Sequence, residues 1–145
     1  MRNLEQLDKL NLMNETRERE AGKQLADDNL KLEKMQQQLQ QLIDYREEYK
    51  AKLNNQLNHI DSAAAIRDYH NFILVLDQAI QEQHAAVNAS SQQARLSKDQ
   101  WMQSKGEVKK IEKIKERTLR GPRYEELRTE QKQTDELSST RYGRD

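Results

Sequence analysis

Three histidines, His59, His70 and His84, and one glycine–lysine pair, Gly22-Lys23, are the residues of this chain whose types could do chemistry. A histidine can hold a metal through a ring nitrogen or move a proton near neutral pH, but either task needs partners brought close by their spacing. Here the histidines stand eleven and fourteen residues apart with no supporting carboxylate pair. We therefore assign neither a metal site nor a general base. Ala21-Gly22-Lys23 lacks the upstream glycine of a phosphate-binding loop and the hydroxyl residue that would hold magnesium, so it reads as a surface lysine in a helix. Cysteine is absent, which removes disulfides and thiolate metal sites and allows a reducing compartment. No catalytic residue, metal or cofactor is assigned, and the chain reads as a non-enzyme.

The basic run from Lys105 to Arg117 is the remaining chemical candidate, as a surface for RNA. Glutamate interleaves it every few residues, which fits a solvated helix face or a surface for an acidic protein better. The 25 Lys and Arg side chains are balanced by 25 Asp and Glu, so there is no large positive field for bulk nucleic acid or an anionic membrane. Charge is uneven, however: residues 53–94 carry one positive and four negative side chains, residues 95–120 nine and four. The longest apolar run, Phe72 to Leu76, is far short of a membrane span. We expect a soluble chain, without a signal-peptide core, that meets membranes only indirectly.

What must position these residues is a helical seam. An apolar residue returns every seventh place at Ile66, Ile73, Ile80, Val87, Ala94, Trp101 and Val108, and a strict seven-residue period keeps one narrow stripe of a helix against a partner helix. An earlier segment fits the same heptad at Leu4, Leu7, Ala21, Leu25, Leu32, Met35, Leu39, Leu42, Tyr49 and Leu53, interrupted by Asn11, Asn14, Glu18, Asp28 and Arg46. With 34% charged residues and one proline among 145, the chain holds too little apolar material for a globular core but enough for a seam. The expectation is a single all-α domain over residues 1–145. It comprises a first helix over 3–58, a turn over 59–63, a second helix over 64–120, and a C-terminal tail over 121–145. Gly121-Pro122 should end the second helix, or kink it before a short helix over Tyr124–Leu137. In the turn, Asp61 or Ser62 could cap the second helix.

Two long helices joined by a short turn pack as an antiparallel two-helix coiled coil, and a turn centred near residue 61 makes facing positions sum to about 122. Leu53 then meets Tyr69, Tyr49 meets Ile73, Leu42 meets Ile80 and Met35 meets Val87. The same register sets Ala21, beside Gly22, against Trp101, and places Leu25 opposite Ser97 and Asp28 opposite Ala94. Leu39 lies in the same seam. Towards the termini the seam turns polar, so that end should be loose without a partner. Tyr45 and Phe72 fall just beside the seam, where aromatic side chains either mark a binding surface or fold back to widen the core.

The stretch Gln38-Leu-Gln-Gln-Leu-Ile-Asp-Tyr-Arg-Glu-Glu-Tyr49, then Leu53-Asn54 and Tyr69-His-Asn-Phe72-Ile73 with Leu76, Ala79 and Ile80, closely resembles the FliJ family of flagellar export proteins. The likeness continues more loosely through Trp101 and Gln131-Lys132 to Asp135-Glu136. It implies a component of the flagellar type III export apparatus, serving motility and chemotaxis, whose coiled coil resembles the gamma-subunit stalk of rotary ATP synthases. The implied partners are the export ATPase hexamer, which the terminal end would enter and activate, the cytoplasmic domain of the export gate, and export chaperones. The implied location is cytoplasmic, peripheral to the membrane through the apparatus. Carried over by residue, the gate surface would be Gln38, Leu42, Tyr45, Tyr49, Phe72, Leu76 and Ala79. His84 joins it with a one-place shift, because Gln83 occupies the aligned position. A general coiled-coil chaperone or scaffold is the alternative reading of the residues themselves.

Overall fold

A computed structural model describes residues 2–56 and 62–142, with side chains described for residues 3–56 and 62–121. Two helices make up the described chain: α1, Arg2–Gln56, and α2, Ala63–Tyr142. No strand occurs among the described residues, and none of them has a cis peptide bond or a positive φ. Gln, Lys, Glu, Leu, Arg and Ala dominate both helices; these residues lose little freedom on becoming helical, and they outweigh the few β-branched positions.

The start of α2 is fixed locally. Ser62 stands just outside the helix, its Oγ accepts a hydrogen bond from the Ala65 N–H at 3.1 Å, and its carbonyl accepts from the Ile66 N–H at 3.4 Å. It is thus the N-cap, satisfying one of the orphan donors that open every helix. The other cap candidate, Asp61, lies with residues 57–60 outside the described residues. Ser62→Ala should cost about 1 kcal/mol, read as a lower urea midpoint with an unchanged slope.

The far end of α2 differs from expectation. Gly121-Pro122 neither ends the helix nor starts a separate one, because α2 runs on to Tyr142. Pro122 deprives the Thr118 carbonyl of its usual donor. The residues beyond it, Glu125-Glu-Leu-Arg-Thr-Glu-Gln-Lys-Gln133, are strong helix formers that resume the ladder within a turn.

The chain divides into two compact units, Glu20–Trp101 and Met1–Arg19 with Met102–Asp145. In the first unit the two helices are antiparallel neighbours: Arg46 meets Asp77, Gln83 meets Met35, Tyr49 meets Phe72, and Gly22 meets Trp101. Leu39, Leu53, Leu76, Ile80 and Ala94 are buried between them. Leu32, Met35, Tyr69, Ile73, Val87 and Trp101 are half-buried. Every heptad position read from the sequence in this unit is buried or half-buried, the pattern of a two-helix seam with only one face to bury.

The register did not foresee one bond: the Ser97 hydroxyl donates to the Asp28 carboxylate, which also accepts from Gln24 Nε2 at 3.1 Å. Both Asp28 and Ser97 are buried, and a buried carboxylate reaches along the groove for a donor because an unpaired one is costly.

In the other unit Val108, Ile111 and Asn14 are buried, and Leu4 and Leu7 are half-buried. Lys115 Nζ forms an ion pair with Asp8, and Asn11 Nδ2 donates to Glu15 Oε1 at 3.3 Å. The seam here is more polar, as the sequence pattern requires.

Candidate partner-binding surface

Tyr45, on α1, and Phe72, on α2, each stand one place before a seam position, so antiparallel packing brings them to the same side of the unit. Their rings meet edge to face with centroids 6.2 Å apart. Between them lies Tyr49, a seam residue, 4.5 Å from Phe72, 6.5 Å from Tyr45 and 5.3 Å from Tyr69. Four aromatic rings thus form one continuous cluster in geometries that the ring quadrupoles favour. Tyr69 Oη donates to Gln56 Oε1 at 2.9 Å, which holds one edge.

The cluster is divided between core and surface. Tyr49, Tyr69 and Phe72 are half-buried, whereas Tyr45 is 49% exposed. Phe72 folds back against Tyr49, its ring tilted by 53°, and widens the core, whereas Tyr45 presents a ring to solvent. Burial pushes the Tyr49 phenol up from its usual range, helped by the nearby Tyr69, Tyr45 and Asp68, so its ring stays neutral in the patch.

Of the residues implied by resemblance, Leu76 is buried beneath the cluster, Leu42 and Ala79 are half-buried, and Gln38 is exposed. Gln38 is tied in from the opposite helix: Gln83 Nε2 donates to Met35 O at 3.0 Å and to Gln38 Oε1 at 3.3 Å. His84 is exposed and shares no hydrogen bond, ion pair or ring contact with the other described residues. The structure thus links Gln83, not His84, to the rest of this set.

A charged flank was not foreseen. Arg46, read as a polar interruption of the seam, donates from Nη1 to Asp77 Oδ1 at 2.8 Å and from Nη2 to Glu47 Oε1 at 3.2 Å. The hydrogen bond to Asp77 holds its guanidinium above the ordinary value, against burial acting the other way. The signal was present in the register, which sets Asp77 within one turn of the position facing Arg46.

None of the other chemical candidates is a member of the aromatic cluster. Gly22 lies in mid-helix against the Trp101 ring, so Gly22-Lys23 forms no phosphate loop. His70 is exposed, His59 lies outside the described residues, and among the described residues no three His, Cys, Asp or Glu could hold a metal ion. Lys115 of the basic run is engaged with Asp8, and Lys109, Lys110 and Lys113 are exposed. No helix of the described residues is long and apolar enough to cross a membrane.

Comparison with known proteins places this surface in context. A family model described as flagellar FliJ protein matches residues 3–145. The flagellar FliJ protein of Escherichia coli K12 is 27% identical over 103 residues, covering 71% of this chain and 70% of that protein. The flagellar FliJ protein of Salmonella typhi is 26% identical over the same length, with the same coverage. No solved structure matches the chain. With the family match running almost from end to end, and with the Tyr45, Tyr49 and Phe72 segments that carry the resemblance meeting in one aromatic cluster, the chain belongs to the FliJ family and is a component of flagellar protein export.

Proposed function

We propose that this chain is a non-enzymatic coupling stalk of the flagellar export apparatus, binding the export gate through the aromatic cluster and activating the export ATPase ring. The observation that carries the gate contact is Tyr45, half-exposed yet held by Tyr49 and Phe72. A rigid aromatic that costs little entropy to immobilise is the kind of anchor that dominates binding energy. Gln38, Leu42, Ala79 and the exposed His84 complete the surface around it, Leu76 supports it from the core, and Gln83 steadies Gln38. The polar seam of residues 1–19 with 102–121 supports a terminal end that gains order from the ATPase ring. Escort of export chaperones belongs to the same reading through the family. The proposed location is cytoplasmic, at the membrane only through the gate.

The test is gate binding by Tyr45→Ala/Phe72→Ala, followed by calorimetry against the purified cytoplasmic domain of the gate, with helicity as control. Affinity should fall by at least about tenfold, since two aromatic anchors are removed, while helicity is retained. Retained affinity overturns the assignment. In parallel, ATPase stimulation should saturate near one chain per hexamer. Binding to varied unfolded clients with no ATPase effect would instead favour a chaperone or scaffold.

A further inference from the structure

Helix α2 is apolar on two faces at one place. Ile73 and Leu76 point into the seam, but Leu74 and Val75, 64% and 61% exposed, point outward with nothing over them among the described residues. Single exposed apolar residues are ordinary, whereas adjacent pairs among the described residues occur at Leu74–Val75 and, in the other unit, at Leu12–Met13; the first stands at the middle of a polar outer stripe of α2.

The surroundings of the pair say what fits it. We propose that this face is a contact between two copies of the chain, in which their α2 helices lie antiparallel about a two-fold axis between Leu74 and Val75. In that arrangement Leu74 covers the partner's Val75, and by symmetry the reverse. One turn out, Asn71 faces the partner's Gln78, two amides that can exchange hydrogen bonds. A further turn out, Arg67 faces the partner's Glu82, so the contact carries two opposite-charge pairs. Beyond these, Ala64 faces the partner's Ala85, small residues that let the two helices approach closely. All of these residues are exposed in the single chain, and among the described residues neither Arg67 nor Glu82 has an ion-pair partner.

An isologous interface demands such self-complementarity, because each residue must suit its symmetry mate. A parallel contact in register would set Arg67 against Arg67 and Glu82 against Glu82, which like charges oppose. The apolar centre is small, well under the ~800 Å² per partner of a standard stable interface. The dimer is accordingly weak and forms where copies are concentrated. The face is distinct from the aromatic cluster, since Phe72 and Ala79 lie one step around the helix towards the seam.

Sedimentation velocity over a concentration series tests this on the full chain. The wild type should show reversible monomer–dimer exchange. Leu74→Asp should weaken it about tenfold or more by placing charge at the apolar centre, with unchanged helicity because the site is exposed. Arg67→Glu alone should weaken association about fivefold, turning two attractive pairs repulsive, and Arg67→Glu/Glu82→Arg should restore it. The chain has no cysteine, so single replacements report orientation cleanly. Leu74→Cys should cross-link two copies on mild oxidation. Gln81→Cys should not, because an antiparallel contact holds its two copies about 20 Å apart along the axis. A wild type that stays monomeric at millimolar concentration, a charge swap that fails to restore association, or preferential cross-linking through Gln81→Cys overturns the proposal. So does loss of association in Tyr45→Ala/Phe72→Ala, which would assign the contact to the aromatic cluster.

Discussion

Trp101→Ala should lower the stability of the two-helix unit by about 2–3 kcal/mol, below the ~3–5 kcal/mol of a fully buried tryptophan because part of the ring is at the surface. By the usual scaling, a thermal melt should show a fall of roughly 5–10 °C. Besides Leu25, the seam near Trp101 offers only the small residues Ala94, Ser97, Ser90 and Ala21, so little beside the indole can fill the space it leaves. A second substitution makes the test specific. A Cβ placed on Gly22 would stand 3.0 Å from Trp101 Nε1 and 3.3 Å from Cδ1, a pinch that offsets the ~0.5–1 kcal/mol a helix gains when alanine replaces glycine. Gly22→Ala should therefore gain little in the wild type but its full helical increment in Trp101→Ala. Additive effects of the two changes would show that the ring does not bear on Gly22 in solution.

The Gly22–Trp101 contact also shows which features the sequence made legible. A seven-residue period and one turn position suffice to place small residues opposite the ring, because helical rise and repeat are nearly constant. The same arithmetic marked the less exposed stripe of both helices and the side on which Tyr45 and Phe72 meet. It did not place Asp28 with Ser97, because a register ladder pairs backbone positions, whereas a buried carboxylate extends to whichever donor satisfies it. Nor did it give the Gln83 bonds to Met35 and Gln38, which depend on rotamers and have no periodic trace, whereas the Arg46–Asp77 ion pair lay within one turn of the facing position that the register marks. Gly121-Pro122 misled for another reason: the helix formers over Tyr124–Leu137 were read as a separate short helix, whereas one missing backbone donor does not stop α2 from running on through them. Tyr49 was legible as a seam residue and Tyr45 as a ring beside it, but that Phe72 turns in against Tyr49 while Tyr45 stays exposed followed only from the packing.

Ser97→Ala should destabilise the protein although it removes a single oxygen. The Asp28 carboxylate is buried and takes bonds from Ser97 and Gln24. Deleting one donor leaves a charged acceptor partly unsatisfied in the seam, at a cost of about 1–3 kcal/mol. Asp28→Leu/Ser97→Ala should have the opposite sign. Removing both partners ends the desolvation penalty, and leucine continues the stripe of Leu25 and Leu32, so the double variant should exceed the wild type by about 1 kcal/mol or more. Urea midpoints of the wild type and the two variants decide the matter, and equal loss in both variants would mean that the polar pair is net stabilising. The sign reversal bears on function through register. Flanked by serines and alanines at Ser90, Ala94 and Ser104, an apolar seam slides by a heptad at little cost, whereas a carboxylate with one matching hydroxyl has one good position. The apolar variant should therefore melt later yet show broader hydrogen-exchange behaviour around residues 25–35, stability gained and a unique register lost.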